Sequence, residues 1–223
     1  LSANRDGFIA DLSPAGRPGA MLVGSSPEVL VKRQGSTVSA FPLAGSSPRR
    51  ASAAEDHLAG QDLLHSSKDL HEHAFVVDHL RRALTPLCER LDIPDVPQLI
   101  STNEMWHLGT PISGTLKDKD LTALELALAV HPTPAICGTP AEAAQALIET
   151  AETDRGFYAG AVGWCDSSGD GEYMVAIRCA EVAGDGLSAR AWAGGGIVGD
   201  SDAQAELEET TAKLRTILKA LSL

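Results

Sequence analysis

Positive charge is scarce in this chain. Eighteen Lys and Arg residues stand against 30 Asp and Glu, which leaves a formal net charge of −12 over 223 residues. That balance repels a phosphate backbone, and the isolated pairs Arg49/Arg50 and Arg81/Arg82 make no cationic track, so no nucleic-acid partner is expected. Long apolar runs are also lacking. None approaches the roughly 18 residues that cross a bilayer, and no signal peptide opens the chain, so it reads as cytoplasmic with no membrane partner. Cysteine is sparse: Cys88, Cys137, Cys165 and Cys179 show neither CxxC pairing nor a zinc-ligand rhythm, and read as reduced, mostly core thiols. Low-complexity linkers and internal repeats are missing, so the chain reads as one continuous domain. Its first residue is Leu1 and not Met, as in a piece of a longer polypeptide.

The segments that are present alternate between strand-like and helical periods. Residues 20–24 (AMLVG) and 29–32 (VLVK) are strand-like around SSPE, and TVSAFPLAG follows across a Gln34-Gly35 turn. Over residues 53–91 apolar positions, Leu58, Phe75 and Leu84 among them, recur at helical spacing and predict helix throughout. IPDVPQ breaks that helix, and LIST and MWHLGTPISGTL predict further strands. Helices are expected over residues 121–130, 141–151 and 203–221. YAGAVGWCD and EYMVAIRCAEV, separated by SSGDG, form the clearest hairpin, and LSARAWAG adds a strand before the last helix. Hairpins outnumber strand–helix–strand crossovers, so the fold class is mixed α/β (α+β) with largely antiparallel strands.

Two acidic patches lie far apart on predicted helices, Asp69/Glu72 and Glu206/Glu209. A spacing of three puts each pair on one helix face. Such faces are either solvated surface or, folded together, an oxygen-ligand site for a hard divalent cation such as Mg²⁺. Lys213, four residues after Glu209, is either an ordinary helical ion pair or a grip on a substrate carboxylate. Glycines 194, 196 and 199 match GxGxxG, but no second parallel strand or distal acidic residue follows, so a dinucleotide is not expected. Bare amides before a helix still favour an anion. His71 and His73 flank Glu72 but point to different faces, and HExxH is absent, so zinc is not expected. Glu28, after Pro27, is an exposed acid or, in a dry pocket, a general acid with a raised pKa. His107 beside Trp106 reads as a hydrogen-bonded core histidine or a catalyst. Arg178, in the apolar strand MVAIRCA, needs an anionic partner if buried, which suggests a carboxylate.

Nine ordered segments across nearly the whole chain resemble the chorismate-utilising enzymes, the group containing anthranilate, aminodeoxychorismate, salicylate and isochorismate synthases. They are SSPEVL (25–30), FPLAGSSPR (41–49), SKDLHEH (67–73), WHLGTPISG (106–114), HPTPAICGTP (131–140), FYAGAVGWCD (157–166), VAIRCAEV (175–182), AGGGIV (193–198) and ELEETTAKL (206–214). HPTPA, GAVGWCD and IRCA look most like the isochorismate synthases of siderophore pathways. The resemblance implies a two-sheet α/β sandwich and Mg²⁺-dependent isomerisation of chorismate to isochorismate, for aryl-capped siderophore biosynthesis. Glu28 would protonate the departing C4 hydroxyl, and His107 would line the reaction centre. Glu72 and Glu209 would hold Mg²⁺, with Asp69 and Glu206 supporting through water. Gly45, Ser46, Arg178, Gly194, Gly196 and Lys213 would bind substrate carboxylates and ring oxygens. Ala135 stands where salicylate synthases typically carry threonine, which favours isomerisation without loss of pyruvate. Salicylate synthase, anthranilate synthase component I and an inactive chorismate-binding fragment remain the alternatives. The family's base is a lysine on a strand well upstream of SPE, which would lie before Leu1. Residues 1–223 are therefore expected to be the C-terminal portion of a single chorismate-binding catalytic domain, with the missing N-terminal segment as a partner.

Overall fold

A computed structural model describes residues 7–221. The chain opens with β1 (Gly7–Asp11), β2 (Met21–Ser25), β3 (Val29–Gln34), β4 (Thr37–Phe41) and β5 (Leu43–Pro48), followed by α1 (Ala53–His65) and α2 (Ser67–Leu84). Next come β6 (Cys88–Asp92), β7 (Gln98–Ser101), β8 (Met105–Gly109) and β9 (Ile112–Leu116), then α3 (Ala123–Val130), α4 (Pro134–Cys137) and α5 (Ala141–Ala151). The last elements are β10 (Ala161–Cys165), β11 (Gly171–Val175), β12 (Cys179–Val182), β13 (Ala189–Ala191) and α6 (Ala203–Ala220).

Strand pairings among the described residues are all antiparallel, as the hairpin-rich sequence predicts. They form a six-stranded sheet in the order β10-β11-β3-β4-β9-β6, a four-stranded sheet β1-β2-β12-β13 and a three-stranded sheet β5-β8-β7. These three ladders are joined by strands that cross from one to the next. The β2→β3 segment, passing from the four-stranded sheet to the six-stranded one, runs beside β11→β12, which passes the opposite way. The crossing is held by Val175 N–H donating to Glu28 O at 3.1 Å and Ser25 N–H donating to Arg178 O at 3.2 Å. A second crossing lies between the six- and three-stranded sheets, where β4→β5 bends at Pro42 beside β8→β9 at Pro111. Proline lacks the N–H that would continue a ladder, so each strand changes sheet there.

The core is the inner face of the six-stranded sheet covered by α2 and α3. Val31, Val38, Leu80, Leu84, Leu126 and Val130 are essentially inaccessible in it. Each such side chain contributes about 1.5–3 kcal/mol of burial. A smaller cluster, Phe8, Leu22, Ala176 and Cys179, packs behind the four-stranded sheet. At Gly24 a Cβ would meet the Phe8 ring at 2.5 Å, so that strand passes the ring only as glycine.

The structure departs from sequence expectation in four places. The helix expected over residues 53–91 is two helices and a strand. Ser66 is extended (φ −70°, ψ 113°) and caps α2 by accepting from Asp69 N–H, and Pro86 stops the helical run before β6. The helical apolar phase is accordingly broken, leaving Leu58 and Phe75 exposed. Arg178 is not inside a strand: it has φ +51° and occupies the break between β11 and β12. Strand β1, whose sequence GFIAD carries little alternation, went unread. Of the four unpaired cysteines only Cys88 and Cys179 are buried, so half and not most are core thiols. Among the described residues no helix is long and apolar enough to cross a membrane.

Candidate active site

A cleft lies beside the two crossings between sheets, and its polar lining comes from the crossings, from strands β5 and β8 and from helices α2 and α6. Glu28 occupies the β2→β3 crossing and is 4% exposed. Burial is the main influence on its carboxyl and pushes the pKa up to about 7, against the pull of the Leu43 N–H and the Lys213 and Arg178 charges. Arg178 faces it from the β11→β12 crossing, also buried. Its Nη2 donates to His107 Nε2 at 3.4 Å, a contact that needs the neutral imidazole. Burial first, and then the Arg178 and Lys213 charges, hold His107 well below the ordinary histidine pKa. His107 lies on β8 opposite Ser46 of β5.

Behind β5 lies the N-terminal half of α2. Gly45 has φ +77°, and a Cβ there would come to 3.0 Å from Asp69 Cβ, so glycine lets the strand and helix close up. Ser46 Oγ donates to Glu209 Oε1 at 2.8 Å, which ties the cleft to α6. One turn on, Lys213 Nζ bonds both Glu209 Oε1 and, at 3.0 Å, Gly194 O. The wall opposite carries Ala135, Arg155, Tyr158 and Trp192. Tyr158 and Trp192 stack with ring centroids 6.1 Å apart.

Every catalytic and substrate-binding residue picked out by sequence lines this one cleft: Glu28, Gly45, Ser46, His107 and Ala135, and likewise Arg178, Gly194, Gly196 and Lys213. Glu72 joins them, whereas Asp69, Glu206 and Glu209 line an adjoining cleft that meets the first at Ser46. The acidic residues nevertheless approach the glycine loop from both helices. A Cβ at Gly196 would stand 2.3 Å from Glu72 Oε1, and one at Gly195 would stand 3.1 Å from Glu206 Oε2 and 3.4 Å from Glu209 Oε1. Burial, followed by the Glu209 charge, raises the Glu72 pKa to about 7. Asp69 is taken up by Ser66, whose hydroxyl donates to its carboxylate.

These groups meet a simple test for a hard divalent cation. The donors are carboxylate oxygens, Glu206 Oε2 is buried with no hydrogen-bond partner, and Glu72 is pushed toward protonation by burial and then by the Glu209 charge. Lys68 and Lys213 pair with Glu206 and Glu209 and offset part of the negative charge gathered there. Among the described residues no three His, Cys, Asp or Glu side chains converge tightly enough to ligate a metal as they stand. The donor chemistry fits a cation; the present spacing is that of carboxylates held by lysines.

His73 is buried, with Nδ1 3.1 Å from Ala44 O and Nε2 2.7 Å from Thr110 Oγ1, whereas His71 is exposed and stacks on Phe75. The two rings diverge as a spacing of two residues on a helix requires. Sequence reading missed Arg155, Tyr158, Trp192, Gly195 and Lys68. Tyr158 lay inside the quoted segment FYAGAVGWCD, and Lys68 inside SKDLHEH, so the signal was present but no local pattern assigned either a partner.

The family model for chorismate binding enzymes matches residues 13–222. MenF of Mycobacterium tuberculosis (strain H37Rv) is 54% identical over 217 residues, which cover 96% of this chain and 58% of that protein. Isochorismate synthase DhbC of Bacillus subtilis is 50% identical over 217 residues, 96% of this chain and 54% of that protein. The crystal structure of DhbC from Bacillus anthracis superposes with a TM-score of 0.93 at 47% identity, covering 97% of this chain and 58% of that one. The chain thus spans about half the length of the relatives it matches. With a family match running from Ser13 almost to the last residue, and antiparallel ladders that superpose on a relative's, this chain belongs to the chorismate binding enzyme family.

Proposed function

We propose that residues 1–223 are the C-terminal portion of the catalytic domain of an isochorismate synthase. It isomerises chorismate to isochorismate in the cytoplasm with Mg²⁺, for synthesis of an aryl siderophore acid. The observation that carries this reading is Glu28: a carboxyl whose pKa is raised to about 7, buried in a cleft that also holds Arg178 and Lys213. A buried acid still protonated near neutrality can donate a proton, and the cations beside it suit a dianionic substrate.

In the reaction, a water oxygen bonds to C2 of chorismate, the ring double bonds shift, and the C4–O bond breaks. Glu28 gives its proton to the departing C4 hydroxyl, which leaves as water. Arg178, Lys213, Ser46 and the amides of Gly45, Gly194 and Gly196 bind substrate carboxylates and ring oxygens and set the face of attack. His107, held neutral, accepts from Arg178 and keeps the guanidinium aimed into the cleft. Glu72 and Glu209 would hold the Mg²⁺, with Asp69 and Glu206 supporting it. What the cation supplies when bound is charge neutralisation at a substrate carboxylate. The base that takes a proton from the water is a lysine supplied by a segment outside residues 1–223. Ala135, in the cleft wall, stands where salicylate synthases typically carry threonine, which favours isomerisation without loss of pyruvate.

The test is incubation of residues 1–223, joined to the upstream segment that supplies the lysine, with chorismate and Mg²⁺, with and without EDTA, and identification of the products by mass spectrometry. EDTA-sensitive isochorismate without pyruvate is the expected result. Salicylate with pyruvate would overturn the reading in favour of a salicylate synthase, and an aminated product formed only with ammonia would favour an anthranilate-type activity.

A further inference from the structure

Lys68, in the first turn of α2, takes no part in the proposed reaction, yet it is tied into the acidic side of the site. Its Nζ donates to Glu206 Oε1 at 2.7 Å across 138 positions of sequence. Glu206 is 8% exposed, and its other oxygen, Oε2, is buried with no hydrogen-bond partner. That free oxygen is turned to the glycine loop, where the Cβ position of Gly195 lies 3.1 Å from it and 3.4 Å from Glu209 Oε1. One oxygen is therefore fixed by a lysine while the other is presented, uncompensated, beside the neighbouring carboxylate. A buried carboxylate oxygen without a donor is destabilising unless a cation takes it.

The geometry points to Lys68 as a positioning residue that fixes Glu206 so that Oε2 faces a divalent cation held by Glu72 and Glu209. The inference rests on reading these carboxylates as a cation site. It differs from a simple charge effect in sign. As a mere positive neighbour, Lys68 would repel a cation, and its removal would tighten binding. As the anchor of Glu206, it raises affinity, and its removal loosens binding, as loss of the group that orients a ligating carboxylate does.

Affinity for Mg²⁺ and Mn²⁺ is read directly, by calorimetry and by Mn²⁺ paramagnetic resonance, on the purified protein without substrate. Lys68→Met should weaken binding about tenfold or more, and Lys68→Arg should recover most of it. In a Glu206→Gln background, Lys68→Met should have no further effect, since the anchored group is gone. Melting in EDTA checks that each variant folds; should Lys68→Met fail to fold, the Lys68→Arg and Glu206→Gln affinities carry the test. Unchanged or tighter binding by Lys68→Met would overturn the positioning role, as would an undiminished loss in the Glu206→Gln background. If the wild-type protein binds neither cation, the cation site itself fails and the role of Lys68 falls with it.

Discussion

The two sides of the cleft are built differently. On the strand side, Glu28 and Arg178 sit at the crossing of two chain segments between sheets, each anchored by a backbone hydrogen bond from the opposite segment. The Arg178 guanidinium is steadied further by its contact with His107. Glu28 is left as an isolated buried acid, and its pKa rises to about 7. On the helix side, Glu72, Glu206 and Glu209 project from α2 and α6, and two of them are steadied by Lys68 and Lys213. Backbone placement permits a group to be kept uncharged; helical placement of several carboxylates requires compensating charge, from lysines or from a cation.

Glu28→Gln breaks the strand side most severely. It should lower turnover of chorismate by about 10²–10⁴-fold, the usual worth of a positioned acid, with circular dichroism unchanged. Full retained activity would remove Glu28 from the reaction.

The same variant should alter stability in the opposite sense. The folded carboxyl keeps its proton up to about pH 7, whereas the unfolded chain releases it near 4.5, the ordinary value for a glutamate. Between those values the folded state binds more protons, so stability falls as pH rises, by about 3 kcal/mol in all, and levels off above 7. Denaturant melts of Glu28→Gln should lack that fall and show a more stable protein at pH 8 than the wild type. Parallel pH profiles for the two would contradict the buried-acid account.

On the helix side, Gly196→Ala drives a Cβ against Glu72 Oε1, 2.3 Å from its present position. Overpacking of this kind costs about 1–3 kcal/mol, and divalent-cation affinity measured by calorimetry should fall with it. The smallest effect is expected from Ser46→Ala, which deletes the hydroxyl bond to Glu209. A loss of about 1 kcal/mol, seen as a several-fold rise in KM for chorismate, is the expected outcome. A larger effect from Ser46→Ala than from Gly196→Ala would reverse the order of the two contacts.

Much of the strand side was legible in the sequence because short ordered segments, SPE, PLAGS and IRCA, carry its residues. The crossings were not legible. MVAIRCAEV has uninterrupted strand character, and only pairing with two different partners, β3 and β2, reveals a break with Arg178 in the left-handed region. On the helix side, spacing gave the shared faces of Asp69/Glu72 and Glu206/Glu209 but not their approach to the glycine loop. The Ser66 break was hidden because serine tolerates a helix and apolar residues continue on both sides. Lys68 and Glu206 are a long-range pair, and no local pattern announces one.

The proposed reaction turns on Glu28 still holding its proton near pH 7. Carbon-13 NMR of the glutamate carboxyls, with Glu28 assigned by comparison with Glu28→Gln, measures it directly. A titration midpoint near 7 is expected; a midpoint near 4.5 would show the carboxylate already charged and unable to protonate the leaving group.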